Sequence, residues 1–117
     1  MMMTETTTDA LPPRDAAAAL AAAGDDAELA QELLETLLAG LPAEIEDLRA
    51  CLAESDWLGL AEYAHQIRSA TRYCGVPALD AAIESLERAA RVGDPLRSAA
   101  CFDTVDTQVQ RLRAETA

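Results

Sequence analysis

Aromatic side chains make up only 3% of the 117-residue chain, as one Trp, one Phe and two Tyr. Ala and Leu supply most of a hydrophobic content of 50%, and both favour helix. The aromatic and β-branched clusters that announce strands are missing, which leaves an all-α fold. Lysine is absent too: all nine basic residues are Arg, set against 21 acidic ones, for a formal charge of −12. A chain this acidic has no electrostatic footprint for nucleic acid or anionic lipid. No run approaches the roughly 18 apolar residues of a membrane span. Residues 1–10 lack a positive stretch followed by an apolar one, so they are no secretory signal. Their Thr-rich, acidic composition predicts a disordered tail over 1–13, ahead of one domain over 14–114. Cys51, Cys74 and Cys101 show no CxxC spacing and read as small hydrophobes in a reducing cytoplasm. No Gly-rich nucleotide loop occurs, so the chain should neither bind ATP nor phosphorylate itself. No metal or cofactor is expected.

What is present is helical punctuation. Pro12-Pro13, Gly24-Asp25-Asp26, Ser55-Asp56, Gly75-Val76-Pro77 and Gly93-Asp94-Pro95 divide the chain where capping and fixed φ end or begin helices. The spacing predicts a short first helix over about 15–23 and a second over about 27–53. Leu29, Leu33, Leu37, Leu41, Ile45, Leu48 and Leu52 keep helical phase across Pro42 in the second, which predicts one kinked helix rather than two. A third helix is expected over 56–73 with Asp56 as N-cap. The fourth is expected over 77–92, with Leu79, Ile83, Leu86 and Ala90 inward, and the fifth over 95–114, with Phe102, Val105, Val109 and Leu112 inward. Four amphipathic helices with tight connections make an antiparallel four-helix bundle, with the first helix capping one end.

The chain has one histidine, His65, in the middle of the third helix. Leu60, Ala64, Ile67, Thr71 and Cys74 follow the apolar face. His65, Arg68, Ser69 and Arg72 lie at i, i+3, i+4 and i+7 on a neighbouring polar stripe. Imidazole offers a nucleophilic nitrogen near neutral pH. Nearby guanidinium groups disfavour its charged form and hydrogen-bond phosphoryl oxygens. An exposed imidazole beside arginines therefore suits transfer of an anionic group. Ser69, one turn along, is small enough to leave the ring accessible.

The stretch AHQIRSATRYCGVPAL (64–79) resembles the phosphohistidine motif of histidine-containing phosphotransfer (HPt) domains, AHxLK/RG followed by a short variable run and a glycine. TRYCGVP is particularly similar to the C-terminal HPt domains of BarA/GacS-type hybrid sensor kinases. LERAARVGD (86–94) and GDDAELAQELLETLLAGLP (24–42) resemble further segments of that family, so the likeness runs over about 15–113. The resemblance implies a phosphorelay intermediate of two-component signalling that accepts a phosphoryl group on His65 from a receiver-domain aspartate and passes it to another. By position it makes His65 the phospho-acceptor, Arg68 the basic residue three places on, and Gly75 the glycine that ends this helix. Ser69 departs from the family's glycine, and its hydroxymethyl group either crowds a receiver or bonds the phosphoryl group. Receiver domains are the implied partners, docking on a monomer around Ala61, Glu62, His65, Ser69, Arg72 and nearby groups of the second helix.

Other chemistries fit less well. Glu62-x-x-His65 has the spacing of a di-iron bundle pair, but a second histidine is missing. Zinc would need thiols that lie on other helices. A hydrolase would need a nucleophile and an orienting acid gathered in a cleft, whereas Ser69 and Glu62 sit on successive turns of one helix. Two readings remain: a phosphotransfer intermediate, and a helical interaction module, such as a degenerate HPt, that binds receivers without transferring phosphate. Trp57 and Tyr63 read as core-edge packing in either.

Overall fold

The computed structural model describes residues 11–117. Five helices follow in order: α1 (Ala16–Ala22), α2 (Ala27–Ala53), α3 (Trp57–Thr71), α4 (Pro77–Arg91) and α5 (Pro95–Thr116), and the described residues include no strand. Four helices begin at an aspartate whose carboxylate accepts a backbone N–H three residues on. Asp15 holds Ala18, Asp26 holds Leu29, Asp56 holds Gly59 and Asp94 holds Arg97, at 2.9–3.0 Å. Each such cap contributes about 1 kcal/mol. α4 and α5 also carry proline in the first turn, where the missing donor costs nothing.

α2 packs on α3 and α5, and α4 packs on the same two, so four helices close in a ring around one core. The core stripe of α2 is Leu34, Leu37, Leu41, Ile45, Leu48 and Cys51, while Ala30 is buried in a separate cluster with Ala19 and Ala23. Leu29 and Leu33, expected in that stripe, are 40% exposed and half-buried. Steps of four advance 40° past a full turn each time, so a run of fours drifts off the face and threes must correct it. Leu52 likewise lies at the edge.

Pro42 lies on the exposed side of α2, and the helix continues through it. Its ring removes the donor that would bond the Leu38 carbonyl, part of a cost of about 3 kcal/mol inside a helix. Arg113 of α5 donates to that carbonyl at 3.3 Å and offsets part of the cost.

α4 is the one helix with no side-chain cap: Val76 stands at its N-cap position. The N-terminal segment closes this turn instead. The Asp15 amide donates to the Gly75 carbonyl at 2.8 Å, Arg14 donates to the Cys74 carbonyl, and the Pro12 carbonyl accepts from Ala78 at 3.3 Å. Gly75 has φ +65°, and a Cβ there would lie 2.7 Å from that of Ala19. Residues 11–13, expected in a tail, are thus part of the body, because their carbonyls serve Ala78 and Arg111. The expected tail over 1–10 falls outside the described residues. Burial pushes all three thiols above their ordinary value, so Cys51, Cys74 and Cys101 are poor nucleophiles.

Candidate phosphotransfer face

α3 buries Leu60, Ala61, Ala64, Ile67 and Thr71, and this leaves His65 pointing outward with its side chain 64% exposed. His65, Arg68, Ser69 and Arg72 line one surface pocket of about 260 Å³, with Tyr73 at its end. The Ser69 hydroxyl donates back to the His65 carbonyl at 3.1 Å, so it is spent on its own helix. Arg72 is exposed and makes no ion pair or side-chain hydrogen bond among the described residues.

The residues that sequence reasoning missed come from α4. Asp80, Glu84, Glu87 and Arg91 recur at helical spacing, and the close packing of α3 on α4 brings that stripe beside His65 and Arg68. The charged group nearest the ring is the Glu87 carboxylate, beside the expected arginines of the pocket: His65 Nδ1 lies 3.2 Å from Glu87 Oε2. Glu87 is only 12% exposed, and Arg91 grips the same oxygen through Nη2 at 2.6 Å and Nε at 3.1 Å. Burial pushes the Glu87 carboxyl up. The hydrogen bond and charge of Arg91, then the charge and hydrogen bond of His65, together outweigh that and hold it below its usual value. An ionised carboxylate can only accept. In the neutral ring, a hydrogen bond to it places the proton on Nδ1 and leaves the lone pair on Nε2.

Arg68 lies across the same seam. Its Nε is 3.7 Å from Asp80 Oδ1 and its Nη2 3.6 Å from Glu84 Oε2. Asp80 Oδ1 also accepts the Thr71 hydroxyl at 2.7 Å.

One part of the expected docking surface is placed differently, and one group is added to it. Ala61 is 1% exposed, because it belongs to the buried face of α3, so it offers a groove floor and no surface of its own. The group set against His65 comes from α4, a helix that the expected surface did not include. Glu62 is exposed one turn before His65. Towards the start of α3, Trp57, Leu58 and Ala61 face Ala90, Arg91 and Val92 across an apolar groove, with Leu58 69% and Val92 76% exposed. Trp57 packs against the core as expected, whereas Tyr63 is exposed. No group of three or more His, Cys, Asp or Glu residues among those described could hold a metal ion, and no described helix is long and apolar enough to cross a membrane.

Comparison with known proteins places the chain in a family. The chain is 40% identical over 93 residues to the sensor histidine kinase GacS of Pseudomonas protegens. It is 39% identical over 93 residues to the sensor protein GacS of Pseudomonas syringae pv. syringae. Each match covers 80% of this chain and 10% of the relative, so the chain spans about a tenth of the length of these curated relatives. No solved structure matches. The profile of the Hpt domain family matches residues 32–115, a span that holds the histidine helix and its α4 partner whole and most of α2 and α5. The chain belongs to the Hpt domain family, the phosphotransfer modules of two-component signalling.

Proposed function

We propose that this chain is a phosphorelay intermediate that takes a phosphoryl group on Nε2 of His65 from the aspartyl phosphate of one receiver domain and yields it to another. The observation that carries the reading is the pairing of an outward imidazole with Glu87, at 3.2 Å from Nδ1. In the step, the Nε2 lone pair attacks phosphorus and forms the N–P bond. The P–O bond to the receiver's aspartate breaks, and its electron pair leaves with the carboxylate. The Nδ1 proton stays on the ring, bonded to Glu87, and the carboxylate offsets the positive charge the ring gains. The rigid helix supplies the positioning on which phosphoryl transfer depends. Arg72, with its donors unspent, faces the phosphoryl oxygens. The receiver, with its own metal site, docks on the monomer across this face and the apolar groove beside it, in the cytoplasm.

The test is to mix the purified chain with a phosphorylated receiver and follow the label. One phosphate should appear on His65, labile to acid and stable to base as a phosphoramidate is. His65→Gln should accept none while its stability stays within about 0.5 kcal/mol of the parent, as for an exposed side chain. Label on Ser69, or no transfer from any receiver of the same cell despite binding, would leave the interaction-module reading in its place.

A further inference from the structure

Arg68 stands in the His65 pocket, yet its charge is turned towards α4. Its two carboxylate contacts, at 3.7 Å to Asp80 and 3.6 Å to Glu84, are ion pairs too long to be hydrogen bonds. Its Nε is buried with no hydrogen-bond partner. Arg91, on the same seam, bonds Glu87 at 2.6 and 3.1 Å. One arginine is therefore fixed by directed bonds, and the other is held by charge alone with its donors unspent. Resting on the phosphorelay reading above, we propose that Glu84 and Asp80 act as a reversible counter-ion that holds Arg68 away from His65 until a phosphoryl group competes for it. The two α4 carboxylates thereby set how the phosphoryl group divides between receiver and His65.

The reasoning is a competition for one guanidinium. A phosphoryl group on Nε2 carries close to two negative charges and three acceptor oxygens, and Arg68 can give it the directed, charge-assisted bonds it lacks at rest. Each such bond stabilises the phosphohistidine. Drawing Arg68 over uncovers Asp80 and Glu84, and this opposes the phosphohistidine. Asp80 keeps the Thr71 hydroxyl as a partner at 2.7 Å, while Glu84, 42% exposed at its side chain, has Arg68 as its one ion-pair partner among the described residues. Glu84 is thus the more adjustable of the two. It is a positioning residue, acting on the phosphoryl group through Arg68.

The experiment measures the equilibrium of the exchange, in which aspartyl phosphate and the free Nε2 give aspartate and phosphohistidine. Purified chain and one phosphorylated receiver are brought to a steady ratio of labelled phosphohistidine to labelled phosphoaspartate. Glu84→Gln should raise that ratio by about three-fold, the scale of a partly exposed ion pair, with less effect in high salt. Arg68→Gln should lower it, and Glu84→Gln made in the Arg68→Gln background should then change little. An effect of Glu84→Gln that persists without Arg68 would mean that Glu84 repels the phosphoryl group directly, and the counter-ion proposal would be wrong. An unchanged ratio for Glu84→Gln in a wild-type background, with circular dichroism showing the parent's helix content, would also overturn it. Failure of the parent chain to accept any phosphate would instead remove the underlying phosphorelay reading.

Discussion

The turn between α3 and α4 and the His65 face lie on the same two helices, yet they are built on opposite rules. At the turn, polar groups are matched: Asp15 bonds Gly75, Arg14 bonds Cys74, and a side chain on Gly75 would run into α1. On the His65 face, groups are left in reserve. The ring is open to solvent, Arg72 lacks a partner among the described residues and Arg68 keeps a buried Nε without a hydrogen bond. Satisfied groups stabilise a fold, and unspent ones are available for a partner. The comparison separates where this chain keeps its stability from where it keeps its reactivity.

Gly75→Ala should do the greatest damage to that contrast. A left-handed φ at a residue with a Cβ, together with displacement of α1, should cost on the order of 3 kcal/mol. Urea denaturation measures it, and a loss no larger than that of an exposed-site substitution would show that the turn tolerates rearrangement. Arg14→Ala tests the same turn more gently. Losing one charge-assisted, partly buried bond to the Cys74 carbonyl should cost about 1 kcal/mol, with phosphate acceptance by His65 unaffected. Reduced acceptance would mean that the two regions are coupled.

The smallest effect concerns pH. Glu87 is held below its ordinary value in the folded state. Its pairing therefore contributes stability that is fully present above the ordinary glutamate range and is lost as pH falls through the depressed folded value. Stability of the parent should decline across that acidic window, and Glu87→Gln should decline less. Parallel curves for the two proteins would show that Arg91 and His65 do not hold this carboxylate.

Much of the fold is legible because its punctuation is chemical and local. Asp56 capping α3, and prolines 77 and 95 opening α4 and α5, need no tertiary information. The outward stripe of His65 is legible for the same reason, since it follows from spacing along one helix. Glu87 is not, because its role depends on which turn of α4 lies against which turn of α3. Asp80, Glu84, Glu87 and Arg91 form one charged stripe along α4, but any amphipathic surface helix turns such a stripe to solvent, so it does not point to His65. Leu29 and Leu33 lie off the core stripe because each four-residue step rotates slowly round the helix, which leucine spacing alone does not reveal. The binding of residues 11–13 had no local sign at all, since it is made by their backbone carbonyls.

The bond from Arg113 to the Leu38 carbonyl bears on how the bundle chooses one arrangement among many. Apolar stripes of Ala and Leu are tolerant surfaces, and two helices faced with them can slide by a turn at little loss. Pro42 breaks that degeneracy by leaving an open acceptor at one height of α2. A shift of α5 by one turn, about 5.4 Å, would carry Arg113 out of reach and leave the carbonyl to water. A proline that weakens its own helix thus becomes a notch, and the arginine that enters it adds a directed bond that favours one alignment of the last helix against the longest.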